Sequence, residues 1–325
     1  MIPRTGLAHA IIAAALLFGA AAALQSAPPA GETLSSARIE LGRRLFYDAD
    51  LSIDGTMSCA TCHEQKRGFA DGNRNHPGVH GDAARRNVPG LANVVSISPL
   101  TWADPRLTTL ELQAEVPILG IAPVEMGMRG QEPEIARRLG RDACYRRMFS
   151  KAFPETGGRI DLAAVARALA AFERTLTSYD SPYDRHRRGE ATLPDAAERG
   201  LILFKAECGA CHGGANLTDS GFHRIADRID PGDEGLSEKS GKDADRGSFR
   251  TASLRNIALA PPYLHDGSAP TLAEAIRRHD RLPAITALSP AQVDDLVALI
   301  AALTDQSFIT DPRFAMPGKA CGKRL

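Results

Sequence analysis

The sequence predicts an all-α fold in two similar halves connected by long loops, and three observations predict it. One frame occurs twice, as Cys59-Ala-Thr-Cys62-His63 and Cys208-Gly-Ala-Cys211-His212, and each copy follows a GxxLF stretch, Gly42 to Phe46 and Gly200 to Phe204. Apolar residues recur at helical spacing from Asp161 to Leu176, and again from Val293 to Leu303 behind Ser289-Pro290, a cap residue with proline at the first helical position. Strand-type alternation is scarce.

Taken in chain order, residues 1–27 come first. They carry one early positive charge at Arg4, an apolar run from about Ala10 to Leu24 and small residues suited to cleavage, the pattern of a secretory signal peptide. The run is short and Ala-rich for a membrane span and is followed at once by Pro28-Pro29. The mature chain is therefore expected in the periplasm, with no membrane partner. With 39 Lys+Arg against 39 Asp+Glu the chain lacks the basic surplus that nucleic-acid binding uses, so no nucleic-acid partner is expected.

The CxxCH frame is the signature of covalent c-type haem attachment. Two thiols on one helical face can add to the two vinyl groups on one side of a porphyrin, and the following histidine then lies under the iron. Cys59, Cys62 and His63 are thus assigned to one haem and Cys208, Cys211 and His212 to a second. The fold becomes all-α, with two cytochrome c-like haem domains and long loops, residues 28–180 and 181–325. In each GxxLF stretch the glycine permits a close helix crossing and the aromatic packs beside the haem. The helix in 161–176 reads as one buried between the two units. Ser181 to Pro194, with its basic run, reads as a solvated loop, and the Gly/Asp/Ser-rich stretch Asp227 to Ser248 as another. Cys144 and Cys321 remain, either as a disulfide tying the tail to the first half or as two buried thiols.

The two CxxCH motifs, the run Phe249-Arg-Thr-Ala-Ser-Leu-Arg-Asn-Ile-Ala-Leu-Ala-Pro-Pro-Tyr-Leu-His265-Asp-Gly-Ser, and Gln113 to Met126 with Pro-Val-Glu-Met resemble the bacterial di-haem cytochrome c peroxidase and MauG family over essentially the whole mature chain. The segment Leu100-Thr-Trp102-Ala-Asp-Pro through Pro117-Ile-Leu-Gly looks most like the branch containing MbnH, a di-haem enzyme associated with methanobactin operons. The resemblance implies that the haem on His63 meets H2O2 while the other exchanges electrons. It makes Glu125 the distal acid-base, Gln113 the distal amide and Pro117 a pocket wall, and puts Trp102, the only tryptophan, between the haems. Gln113 and Glu125 are two residues further apart than the family's motif has them, which puts the carboxylate's placement in question. His80, ahead of Arg86-Asn87, matches imperfectly a histidine that caps the first haem at rest in some peroxidases, with His76 nearby. Asn87, with carbonyls at Ala260 and Pro262, matches a Ca2+ site.

His279 discriminates among functions. Peroxidases of the family carry methionine there and MauG tyrosine, so the resemblance makes His279 the second axial ligand of the His212 haem. An imidazole donates more strongly than a thioether and favours higher oxidation states. The favoured reading is a MauG/MbnH-type enzyme that uses H2O2 to form a high-valent di-haem state and oxidise a residue, expected to be Trp, of an MbnP-like partner protein, with Tyr183 or Tyr263 as relays. The alternative is a conventional peroxidase drawing electrons from a small cytochrome. A non-catalytic electron-transfer cytochrome leaves Gln113 and Glu125 without a purpose.

Overall fold

The computed structural model describes residues 36–324; the expected signal segment lies outside the described residues. The helices are α1 (Ser36–Phe46), α2 (Cys59–Cys62), α3 (Leu110–Leu119), α4 (Glu132–Arg141), α5 (Ala143–Ala152), α6 (Leu162–Glu173), α7 (Pro182–Arg187), α8 (Asp195–Leu203), α9 (Ser237–Ser240), α10 (Leu272–Arg277), α11 (Pro283–Thr286), α12 (Pro290–Ala301) and α13 (Gln306–Thr310). Among the described residues strand is limited to two antiparallel pairs, β1 (Phe222–His223) with β2 (Phe249–Arg250) and β3 (Lys319–Ala320) with β4 (Lys323–Arg324). The chain is mostly helical. No helix among the described residues is long and apolar enough to cross a membrane.

Each half is organised around one helix crossing. A Cβ on Gly42 of α1 would stand 1.8 Å from the Ala168 carbonyl oxygen of α6, and one on Gly200 of α8 would stand 2.1 Å from the Asp295 carbonyl oxygen of α12. Only glycine lets these backbones meet. The helix in 161–176 is therefore not sandwiched between the halves: α6 packs on α1 and α3, inside the first half's own core. Asp161 starts it by accepting from the Ala164 N–H, and Ser289 starts α12 with a capping box to Gln292.

The stretch 181–194 is not all loop, because Ser181 and Asp184 form a capping box around Pro182 and nucleate α7. Its basic residues are exposed and pair with acids, Arg185 with Asp180 and Arg188 with Asp180 and Glu190. The stretch 227–248 is mostly irregular, interrupted by α9 and a short 3-10 turn at Asp243–Asp245.

Three apolar clusters result among the described residues. The first runs from Leu41 to Leu176, the second from Tyr183 to Leu303, and a small third joins Val94, Leu100, Leu110 and Ala170. After α12 the chain crosses back: Phe308 and Phe314 are buried in the first cluster, and Cys321 forms a disulfide with Cys144 of α5. Between the halves, Asn93 and Asn256, both in the left-handed region, join through Ser178 and Asp305 in a buried hydrogen-bond network.

Candidate di-haem site

Both CxxCH histidines are prepared as metal ligands. His63 presents Nδ1 to the Phe69 carbonyl at 2.7 Å, and His212 presents Nδ1 to the Leu217 carbonyl at 3.2 Å. A carbonyl can only accept, so Nδ1 carries the proton and Nε2 is left for iron. Phe69 and Leu217 both have positive φ, 62° and 54°, which aims their carbonyls back at the rings. Burial holds both imidazoles below their ordinary pKa. For His212, burial and then the neighbouring His279 push it down to about 4, so the ring is neutral.

The second site is a cavity of about 980 Å³ lined by His212, His279, Trp102, Arg250, Asn87 and His265, among others. His279, just beyond α10, gives its Nδ1 side to the Ala275 carbonyl at 3.0 Å, and its ring centre stands 6.5 Å from that of His212. Two imidazoles binding one metal from opposite sides at about 2 Å each place their ring centres roughly 6 Å apart, so this pair fits a single haem iron between them. No methionine lines the cavity. Arg250 is only 4% exposed, donates to the Thr101 and Thr251 carbonyls, and has no carboxylate partner among the described residues; burial lowers its pKa to about 10. A buried cation needs an anion, and the propionates of a haem would supply it. The residues present fit the cofactor.

In the first half, α3 and the turn after it carry the three residues expected on the distal side, Gln113, Pro117 and Glu125. Thr109 caps α3, Gln113 sits one turn above Pro117, and the chain then doubles back so that the Met126 N–H donates to the Pro117 carbonyl at 2.9 Å. Glu125, the residue before Met126, is thereby returned beside Pro117. The Gln113 Oε1 atom is buried with no hydrogen-bond partner. Burial raises the Glu125 carboxyl above its ordinary value, and His76 draws it partly back. An unpaired amide oxygen and a carboxyl that readily holds a proton suit a small, polar, protonated ligand.

Trp102 bridges the halves: its indole N–H donates to the Asn87 carbonyl at 2.8 Å, and its own carbonyl accepts from the Arg250 N–H at 2.7 Å. Asn87, Ala260 and Pro262 line the same cavity, and the Asn87 amide donates to the Asn73 and Arg74 carbonyls. His80 is exposed, whereas His76 is drawn inward onto Asp71. Tyr263 lines the cavity, while Tyr183 is buried in the second core. Sequence reasoning missed Arg250, the Asp71–His76 pair and Glu173, a carboxyl beside Cys59 that burial pushes up to about 8. Arg250 lay in the Phe249-to-Ser268 run and could have been found there; nothing in the sequence marks the other two.

The family profile for di-haem cytochrome c peroxidases matches residues 36–192. The methylamine utilization protein MauG of Methylophilus methylotrophus is 34% identical over 256 residues, spanning 77% of this chain and 74% of that one. The chain belongs to the di-haem cytochrome c peroxidase family. It is accordingly an H2O2-dependent oxidoreductase with two haem cofactors. The cytochrome c551 peroxidase of Pseudomonas aeruginosa is 33% identical, with 88% and 83% of the two chains covered. A crystal structure of a MauG-like protein associated with microbial copper homeostasis superposes with a TM-score of 0.83 at 38% identity, over 88% of this chain and 95% of that one.

Proposed function

We propose that this di-haem peroxidase is of the MauG/MbnH type and uses H2O2 to oxidise a residue, a tryptophan, of a partner protein. The observation that carries the reading is the facing pair His212 and His279 in a cavity with no methionine. When bound, the haems supply the redox chemistry, and two imidazole donors make the second one a holder of oxidising equivalents rather than an electron entry port. The chain's own residues do the rest. Glu125 takes a proton from the inner oxygen of the peroxide and returns it to the departing one, Gln113 orients the peroxide, and Pro117 keeps the pocket narrow. Trp102, hydrogen-bonded to both halves, offers a π-system between the two sites. A folded protein cannot enter either pocket, so its oxidation proceeds through electron transfer across the protein surface.

The likeness to a MauG-like protein of copper homeostasis supports an MbnP-like partner in a copper-related setting. The same reading places the protein in the periplasm after removal of residues 1–27. It divides the mature chain into haem domains 28–180 and 181–325, with His63 and His212 as proximal ligands, and puts Ca2+ on Asn87 and the Ala260 and Pro262 carbonyls. The test is an optical spectrum of the diferric protein after one equivalent of H2O2 without reductant. A near-infrared charge-resonance band is expected. No reaction until one haem is pre-reduced would instead establish a conventional peroxidase fed by a small cytochrome.

A further inference from the structure

We propose that His76, aligned by the buried carboxylate of Asp71, is the proton relay that serves Glu125 and connects the peroxide pocket to solvent. The inference rests on Glu125 being the distal acid-base. Asp71 is 1% exposed and its side chain meets Nδ1 of His76 at 2.7 Å, while the His76 side chain is 14% exposed. The Asp71 carboxylate also accepts from the Gly72 N–H at 2.6 Å and the Asn73 amide at 3.1 Å, so it is fixed before His76 joins it. A carboxylate there keeps the proton on Nδ1 and leaves Nε2 as the working nitrogen.

The loop carrying His76 lies directly on the Glu125 segment. The Val79 N–H donates to the Glu125 carbonyl at 2.9 Å, and a Cβ on Gly78 would stand 1.8 Å from the Val124 carbonyl oxygen and 3.1 Å from the Glu125 Cα. The loop is closed behind His76 by the Ala84 N–H, which donates to the His76 carbonyl at 2.8 Å. Electrostatics agrees with the packing, since the His76 imidazole acts on the Glu125 carboxyl from across this contact.

Reduction of one peroxide to two waters takes up two protons with two electrons. The electrons come from the oxidised protein substrate or a donor cytochrome; the protons must reach a buried carboxyl from solvent. As the O–O bond breaks, Glu125 hands to the departing oxygen the proton it took from the inner one, so cleavage itself draws no proton from solvent. The two protons enter as the two electrons arrive: each passes from Nε2–H of the His76 imidazolium to the Glu125 carboxylate and on to the oxygen that stays behind, and hydronium from solvent restores Nε2–H. Throughout, Asp71 holds the Nδ1 proton and balances the charge of the imidazolium. His76 acts through Glu125 and does not touch peroxide, so it is a positioning and relay residue.

The experiment is stopped-flow turnover of the holoprotein with H2O2 and ascorbate as electron donor, for the parent, Glu125→Gln, His76→Gln and Asp71→Asn, in H2O and D2O. His76→Gln is expected to slow the reaction roughly 10- to 100-fold and enlarge the solvent isotope effect, with Asp71→Asn smaller in the same direction. The resting optical and paramagnetic resonance spectra stay unchanged. The infrared band of the protonated Glu125 carboxyl, identified by its loss in Glu125→Gln, grows in His76→Gln because the imidazole no longer draws the proton away. A His76→Gln rate within twofold of the parent with an unaltered isotope effect, while Glu125→Gln is slow, overturns the relay and leaves Glu125 in its role. A fast Glu125→Gln overturns both. A changed resting spectrum in His76→Gln overturns the relay by making His76 a determinant of the haem itself. Asp71→Asn decides the matter if His76→Gln fails to take up haem.

Discussion

In the first half His63 meets its carbonyl acceptor at 2.7 Å; in the second, His212 meets its own at 3.2 Å. The acceptors, Phe69 and Leu217, are equivalent in place and in backbone conformation. Their surroundings differ. The Phe69 ring is clamped by Phe46, Phe308 and Phe314, at ring-centre distances of 5.8, 5.6 and 6.5 Å, and the Gln65 amide ties the loop to the Phe308 and Asp311 carbonyls. Leu217 packs only within its own half's cluster. Under the proposed function the distal sides diverge as well, with a carboxyl and an unpaired amide oxygen in one half and an imidazole in the other. The duplicated scaffold sets the proximal ligand, and local packing decides what each copy does with it. A firmly held, strongly hydrogen-bonded His63 is a better electron donor to iron, which suits the half proposed to meet peroxide.

The contrast can be broken most severely at the distal sides. Glu125→Gln is expected to slow the peroxide reaction roughly 100-fold or more while leaving the His212 site's spectrum intact, read by stopped-flow absorption. His279→Met is the reciprocal change. It should raise the second site's potential on the order of a few hundred mV, as redox titration would register, and abolish the near-infrared band without slowing peroxide binding in the first half.

Stability tests sharpen the comparison further. In the second half Arg255 and Asp184 form a buried ion pair, 1% and 7% exposed. Burial opposes ionisation of Asp184, but the hydrogen bonds from Arg255 and Ser181 prevail and hold its pKa below the usual value. Its stabilisation is therefore present above the unfolded carboxyl pKa and lost as pH falls through the lower folded one. Asp184→Asn should cost about 3–5 kcal/mol near neutral pH, and less on acidification, in denaturant titrations at several pH values. Replacing Cys144 and Cys321 by serine should cost about 2–4 kcal/mol. Hydrogen exchange should show that loss concentrated around Phe69 and His63, with the second half unaffected. Smallest are Gly42→Ala and Gly200→Ala, each about 1–3 kcal/mol by forcing the helices apart, and nearly equal if the two crossings are true equivalents.

The sequence displayed what was covalent or periodic. The CxxCH frames, the GxxLF glycines and the capped helix from Ser289-Pro290 are local patterns with one physical reading each. Gln113, Pro117 and Glu125 were visible only through resemblance, because a chain reversal between Gly120 and Val124 brings them together and no spacing rule describes it. The helix at 162–173 was recognised but misplaced, since its Ala-rich surface looks the same whether it packs within one half or between two. The Ser181 capping box was hidden by the basic residues after it. The Asp71–His76 pair and the return of Phe308 and Phe314 to the first core are long-range facts with no sequence period to announce them.

That return has a consequence for how the protein is made. The first core draws most of its residues from 41 to 176, yet two of its aromatic anchors are residues 308 and 314, and its disulfide partner is residue 321. The half that begins first is thus finished last, because contacts so distant in the chain form only after the intervening segment has been synthesised and delivered. Until then the Phe69 ring, beside the first CxxCH frame, lacks two of the three aromatic rings that clamp it. The tail acts as a closing stitch on the half that begins first.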